Sequence, residues 1–286
     1  MFLQTTPLQL ARGDCQAHKG AGNRLKGFSQ FVAFRDEAVL KPLYRNQVMH
    51  FTQPIYVAQT EDERRTIYTF RYRIYIEEMG KPYRHADHKN KMLRDPLDDQ
   101  ATLLYSTRNG EITGTLRINW GEDISALTAF GESCALAHFR HFPANSFSFC
   151  SRLMVHKARR ASVVAAALST AAYVTGRDRG TQFNFVHCAP RLLSFFERMG
   201  FRQYTQPFHH SEIGAQIPLV LVLEDIEHLR ASRSPFLGRA LERSNSDNAA
   251  NWFLNRFSGI QPNNLINEET TNSYEFDRLC TATSAV

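Results

Sequence analysis

With 286 residues, 43% of them hydrophobic, the chain is long enough to bury a sizeable core and reads as one domain with extensions. Its formal net charge of +6 suits an anionic partner, yet the basic residues are interspersed with acids and form no basic tail or aromatic-basic array, which argues against nucleic acid. Five cysteines without C-x-x-C spacing beside paired histidines indicate neither a disulfide scaffold nor a metal site, and a reducing cytoplasm is the expected compartment.

Residues 1–50 mix Gly, Lys, Gln and isolated aromatics, and read as an N-terminal extension with a loosely attached helix or strand near Phe28–Leu40. The opening has no charged segment followed by a long apolar one, and no stretch reaches the ~18 apolar residues of a spanning helix, so no stable transmembrane association is expected.

Residues 51–225 carry the domain. Tyr56 lies in a short strand, and EDERRTIYTFRYRIYIEEMG (61–80) reads as an acid-started helix with Ile67, Phe70, Ile74 and Tyr75 on one face. A polar, Pro-bearing loop (85–100) follows. The runs ATLLYST and EITGTLRIN flank Asn109-Gly110, the strongest short hairpin signal available. Residues 121–146 read as an insertion with one helix over a binding groove. FSFCSRLMV (147–155) is a strand, and 159–180 is a helix apolar or small on nearly every side, hence largely buried. FNFVHCA (183–189) is a buried strand; PRLLSFFERMG (190–200) is a helix with Pro in its first turn and Gly at its end; IPLVLVLED (217–225) is a last apolar strand. Residues 226–286 read as a tail with a helical piece around Asn248–Phe257 and a polar end expected to be mobile. This order of elements specifies an α/β (α+β) fold, a mixed sheet flanked by helices rather than a doubly wound one.

The run Phe183–Tyr204, with the turn Phe196-Glu197-Arg198-Met199-Gly200-Phe201, resembles the closing motif of the GNAT superfamily. Upstream, Arg71 four residues before Tyr75, Asp95 and Asp98 ahead of Ala101-Thr102-Leu103, Gly114-Thr115-Leu116-Arg117, and Ser151-Arg152-Leu153 follow in order. This series resembles the acyl-homoserine lactone (autoinducer) synthases and, more closely, the long-chain N-acyl amino acid synthases. The resemblance implies a mostly antiparallel, twisted GNAT-like sheet with a splayed central strand. It also implies an N-acyltransferase that moves a fatty acyl group from an acyl carrier protein (ACP) or acyl-CoA thioester to the amine of an amino acid or related small amine. Attack would be direct, with no metal and no covalent intermediate.

Two departures bear on that expectation. The lactone synthases have a Glu three residues before the strand Arg, and Phe149 stands there, so lactone synthesis is the alternative reading. The phosphate cradle of acetyl-CoA-dependent members is altered to Arg160-Ala161-Ser162-Val163-Val164-Ala165; without its glycines, backbone N–H groups cannot close on a pyrophosphate, which suits the phosphopantetheine arm of a carrier protein. A non-catalytic module that binds an acylated ligand or carrier is the reading from outside the enzymes.

Acyl transfer needs donors aimed at a developing oxyanion and an unprotonated amine. The resemblance assigns those donors to the backbone of Leu153, Met154 and Val155. The candidate catalytic residues are Arg71, Asp95, Asp98, Arg117, Arg152 and His187, and the candidate substrate-binding residues are Tyr75, Glu78, Phe149, Ser151, Leu153, Met154 and Val155. Asp95 and Asp98 can share an Arg partner, either to pin the substrate loop or to contact substrate and relay a proton. His187, Glu77, Glu78, His138 and His141 stand as possible general bases. Cys150 and Cys188 lie in apolar strands, where a thiol is an inert filler rather than a nucleophile. Lys157, Arg159 and Arg160 are placed to meet a phosphopantetheine phosphate or an acidic carrier surface.

Overall fold

The computed structural model describes residues 53–160, 162–242 and 248–258; the segment near Phe28–Leu40 and the polar end of the tail lie outside them. β1 (Ile55–Val57) leads into α1 (Glu61–Tyr72), which starts where local chemistry dictates. The Thr60 hydroxyl accepts from the Glu63 N–H at 3.2 Å, and the Glu63 carboxylate accepts from the Thr60 N–H at 2.9 Å, a reciprocal cap that satisfies two otherwise orphaned donors. The helical run continues as a π-helical turn over Arg73–Glu78. The expected loop 85–100 holds a small hairpin, β2 (Ala86–Asp87) and β3 (Met92–Leu93), then a 3-10 turn at Pro96–Asp98.

β4 (Thr102–Arg108) and β5 (Glu111–Trp120) form the expected hairpin. Asn109 and Gly110 have φ of 54° and 82°, the left-handed pair that a two-residue turn needs to match strand twist. α2 (Ile124–Phe130) lies in the insertion, β6 (Phe147–Val155) follows, Lys157–Arg159 close as a 3-10 turn, and α3 (Val164–Asp178) begins later than the 159 read from sequence. β7 (Phe183–Cys188) precedes α4 (Leu193–Met199), which ends at Gly200 with φ of 102°. β8 (Arg202–Gln203), β9 (Phe208–His210) and β10 (Gly214–Val222) complete the strands. Beyond 225 come α5 (Ile226–Ala231), α6 (Leu237–Leu241) and α7 (Asn248–Phe257). Leu229, Phe236 and Ala240 of the α5–α6 region pack with α4 and β10, while Ala249, Ala250 and Phe253 of α7 pack against β6, β7 and Tyr204. Among the described residues no helix is long and apolar enough to cross a membrane.

The sheet runs β1-β4-β5-β6-β7-β10-β8, with β9 against β10. Every pairing is antiparallel except β6 with β7. On one face α3 packs against Leu104, Leu116 and Ile118, and α4 to α6 continue that layer. On the other, α1 covers Leu103, Tyr105 and Met154, and the insertion with α7 covers Phe147, Phe149, Phe183 and Phe185. α3 comes so close that a Cβ at Gly114 would sit 2.6 Å from Val164 Cγ1, which explains the glycine in the Gly-x-x-Arg strand.

Two irregularities in β6 open the centre of the sheet. Its parallel register with β7 runs from Phe147–Phe183 to Cys150–Val186 and ends there, while β6 continues to Val155 along β5. β7 instead stays with β10 through Cys188, so the two central strands part. Within β6, Thr115 lies opposite Met154 and Arg117 opposite Ser151, so Leu116 alone faces Arg152 and Leu153. This is a β-bulge, with Arg152 at φ of 56°. A left-handed backbone at a non-glycine residue costs about 1–3 kcal/mol and persists only where its surroundings hold it.

Candidate active site

The 3-10 turn at Pro96–Asp98 delivers two carboxylates into the space between α1 and the parted strands. Asp95 caps the turn by accepting from Leu97 N–H at 3.1 Å, and Asp98 closes it by accepting from Asp95 N–H at 2.9 Å. The loop is pinned further by Arg64, which donates to the carbonyls of Asp98 and Ala101, and by Asn119 Nδ2, 2.7 Å from the Leu97 carbonyl.

Three arginines converge on these carboxylates. Arg71 Nη1, from α1, lies 2.7 Å from Asp98 Oδ1. Arg117 Nη1, from β5, lies 2.5 Å from Asp95 Oδ1 and 3.3 Å from Asp98 Oδ1. Arg152 Nη2, from the bulge, lies 2.6 Å from Asp95 Oδ2. The bulge makes this possible: strict alternation would send Ser151 and Arg152 to opposite faces. Instead the Ser151 hydroxyl accepts from Arg117 Nε at 3.0 Å while its neighbour reaches Asp95 on the same side. The Arg152 guanidinium is also held over two aromatic rings, 4.6 Å from the Tyr83 centroid and 5.3 Å from that of Tyr75, which contact each other edge-on at 4.7 Å.

Electrostatics follow from this packing. Burial raises the Asp95 pKa, but Arg117 and Arg152 outweigh it and hold the carboxyl well below its usual range. Burial depresses Arg117, against the pull of both aspartates. For Arg152 burial acts downward too, yet Tyr75, Tyr83 and Asp95 together push its pKa up. The Asp95 carboxylate and the Arg152 guanidinium are therefore charged at neutral pH.

His187 sits on β7 one position past the last β6 pair, with Nε2 3.2 Å from Cys134 Sγ and its ring against Phe208 at 4.9 Å. Burial lowers its pKa to about 4, so the ring is neutral at pH 7. Cys150 and Cys188 are free thiols whose pKa burial pushes up to about 12; they are protonated fillers, and Asn184 Nδ2 reaches Cys150 Sγ at 3.1 Å where the strands part.

Arg71, Tyr75, Asp95, Asp98, Arg117, Ser151 and Arg152 are brought together as one connected cluster, and Leu153, Met154 and Val155 form the parted arm of β6 beside it. Other candidates fall elsewhere. Phe149 is buried between Phe130 and Phe185, with centroids at 4.9 and 5.6 Å. Glu77 pairs with Lys91 at the surface, and Glu78 pairs with Arg160, whose Nε also donates to the Val155 carbonyl. Lys157 is exposed and Arg159 half-buried in the turn before α3. His138 and His141 line a cavity of about 460 Å³ with Arg140, Trp252 and Arg256, and no residue of the arginine–aspartate cluster is among its lining. Tyr83 was not legible in the sequence, being a lone aromatic in a polar loop with nothing local to announce its tertiary partner. Asn184, a polar residue inside an apolar strand, was a signal that alternation alone offered.

A mixed sheet parted between its two parallel strands, with a buried arginine–aspartate cluster beside the fork, has the GNAT-like architecture expected from the sequence. The profile of the N-acyl amino acid synthase FeeM family matches residues 66–223, and the chain belongs to that family. It is thus an N-acyltransferase that moves an acyl group from a thioester to an amine. No curated protein sequence matches the chain. Among solved structures, a CoA-dependent acyl-homoserine lactone synthase, BjaI, bound to MTA superposes with a TM-score of 0.51 at 18% identity, over 71% of this chain and 99% of that one. FeeM, an N-acyl amino acid synthase from uncultured soil microbes, superposes with a TM-score of 0.50 at 14% identity, over 63% of this chain and 97% of that one. At these identities the likeness speaks to the fold.

Proposed function

We propose that the chain joins a long fatty acyl group, carried as a thioester on the phosphopantetheine arm of an acyl carrier protein, to the α-amine of an amino acid in the cytoplasm. The observation that carries this reading is the parting of β6 from β7 beyond Cys150–Val186, which leaves Ser151–Val155 without a strand partner on its β7 side, next to the charged cluster. An acyl carbonyl seated there meets the amides of Leu153 to Val155. The neutral amine attacks that carbon, the C–N bond forms, and the amides stabilise the oxyanion, each such donor being worth ~10²–10³ in rate. As the oxyanion collapses the C–S bond breaks, the thiolate takes a proton, and the nitrogen loses one. His187, uncharged at pH 7 and adjacent to the fork, is the proton acceptor on this reading.

Two features support a carrier over CoA. The stretch Arg160 to Ala165 lacks the glycines that let a backbone close on a pyrophosphate, and Arg160 is already engaged by Glu78 and the Val155 carbonyl. Exposed Lys157 and half-buried Arg159 suit an acidic carrier surface. Lactone synthesis is disfavoured by Phe149, whose place among stacked rings holds no carboxylate.

Purified full-length protein, offered the same acyl group on carrier and on CoA with a panel of amino acids, tests this by mass spectrometry. Acylated amino acid formed with the higher kcat/KM from the carrier is expected. No acylated amine from any combination contradicts the activity, and equal or better use of acyl-CoA contradicts the donor assignment.

A further inference from the structure

The charged cluster does not balance. Arg71, Arg117 and Arg152 face only Asp95 and Asp98, and among the described residues no third carboxylate lies within ion-pair distance of the three guanidinium groups. The aspartates have little left to give. Asp98 Oδ1 receives Arg71 and Arg117, and its Oδ2 receives the Asp95 N–H; Asp95 Oδ1 receives Arg117 and the Leu97 N–H, and its Oδ2 receives Arg152. One unit of positive charge therefore remains in a site largely removed from water, where an uncompensated charge is costly.

Arg71 Nε and Nη2 are buried without hydrogen-bond partners, and among the three arginines the surplus reaches solvent most at Arg152. Arg71 is fully buried and Arg117 nearly so, whereas the Arg152 side chain is 11% exposed and springs from the parted arm of β6. Asp95 engages only one of its nitrogens, and Tyr75 and Tyr83 hold the guanidinium by ring contact, and Tyr83 also by a side-chain hydrogen bond, without neutralising it.

We propose that this surplus charge receives the α-carboxylate of the acceptor, with Arg152 making the contact, so that the enzyme selects amino acids over amines that lack a carboxylate. The inference rests on the amino-acid reading of the acceptor and adds the residue that enforces it. A carboxylate docked at Arg152 brings the charge of the site to zero and leaves the attached α-amine beside Leu153 to Val155, where the acyl carbonyl is held. An α-amide or a decarboxylated amine leaves the site charged and the amine untethered.

The test compares a favoured amino acid, its primary amide and its decarboxylated amine with one acyl donor and the unaltered protein. The amide and the amine are expected to show kcat/KM about 10- to 100-fold lower, mostly through KM, the range for a charge-assisted hydrogen bond. Arg152→Gln compresses that ratio towards one, whereas Arg152→Lys retains part of it. Because Arg152 also pairs with Asp95, the comparison in the unaltered protein decides even if the Gln variant fails to fold. Calorimetric binding of the amino acid and its amide without donor gives a second readout: tighter binding of the carboxylate form supports the assignment even if turnover fails with every acceptor, a failure that would count against the acyltransfer reading alone. Equal kcat/KM for all three acceptors, or equal binding of acid and amide, overturns it.

Discussion

Arg117 Nη1 lies 2.5 Å from Asp95 Oδ1, and both side chains are more than nine-tenths buried. Removing one partner of such a pair strands the other charge, which costs about 3–5 kcal/mol, whereas replacing both by apolar groups can be nearly neutral. Asp95→Asn is therefore expected to lower the stability measured by urea unfolding by that amount and to abolish acyl transfer. The pH dependence has a definite sign: the native pKa of Asp95 lies below its ordinary 3.8, so its contribution is complete above that value and lost as pH falls below it. Unfolding midpoints measured from pH 2 to 6 should show acid destabilisation that the Asn variant lacks.

The Arg152 guanidinium lies 4.6 Å from the Tyr83 ring centroid, and the ring rather than the hydroxyl is expected to carry that tyrosine's contribution. Tyr83→Phe should leave kcat/KM within about twofold, and Tyr83→Leu should lower it about tenfold, the equivalent of a cation–π contact near ~1.4 kcal/mol. Steady-state kinetics alongside melting curves separates this from simple destabilisation: equal losses in both variants would assign the effect to the hydroxyl.

The β4–β5 hairpin, α4 and the closing Gly200 were legible because their signals are local: Asn109-Gly110 between alternating apolar runs, Pro190 in a first turn, a glycine at a helix end. The cluster residues were legible only through their order along the chain, since no periodicity joins Arg71 to Asp98. Two features that assemble the site were not legible. The bulge that turns Arg152 towards Asp95 depends on a register shift between β5 and β6, and Tyr83 arrives from a loop whose path tertiary contacts set. α5 and α6 are not legible for a different reason: at six and five residues each is so short that Ile226–Leu229 and Phe236–Ala240 supply a single helical spacing apiece, too little to write a period.

Gly114 has no room for a side chain. An added Cβ would lie 2.6 Å from Val164 Cγ1 and 3.1 Å from the Met154 carbonyl oxygen, so α3 or β6 must give way. Gly114→Ala is expected to destabilise by about 1–3 kcal/mol, the usual range for overpacking, and Gly114→Val by more. Thermal unfolding checks this, and an unchanged melting temperature for the Val variant would contradict the close approach of helix to strand.

Burial holds His187 at a pKa of about 4, below its ordinary 6.5. The unfolded chain therefore binds this proton first, and stability rises with pH between those two values. His228, also lowered to about 4 by burial, contributes in the same direction. Urea midpoints should climb from about pH 4 to 6.5, and His187→Gln should flatten part of that climb. A rise of the same size in the variant would assign the dependence to His228 and other groups.

A structure of the full chain with a stable, non-hydrolysable acyl-pantetheine analogue bound tests the whole account most directly. The acyl carbonyl is expected between the arm Ser151–Val155 and the β7 residues His187 and Cys188, its oxygen within hydrogen-bond distance of an amide of Leu153 to Val155. An analogue seated elsewhere, or β6 paired with β7 through to Val155, would contradict it.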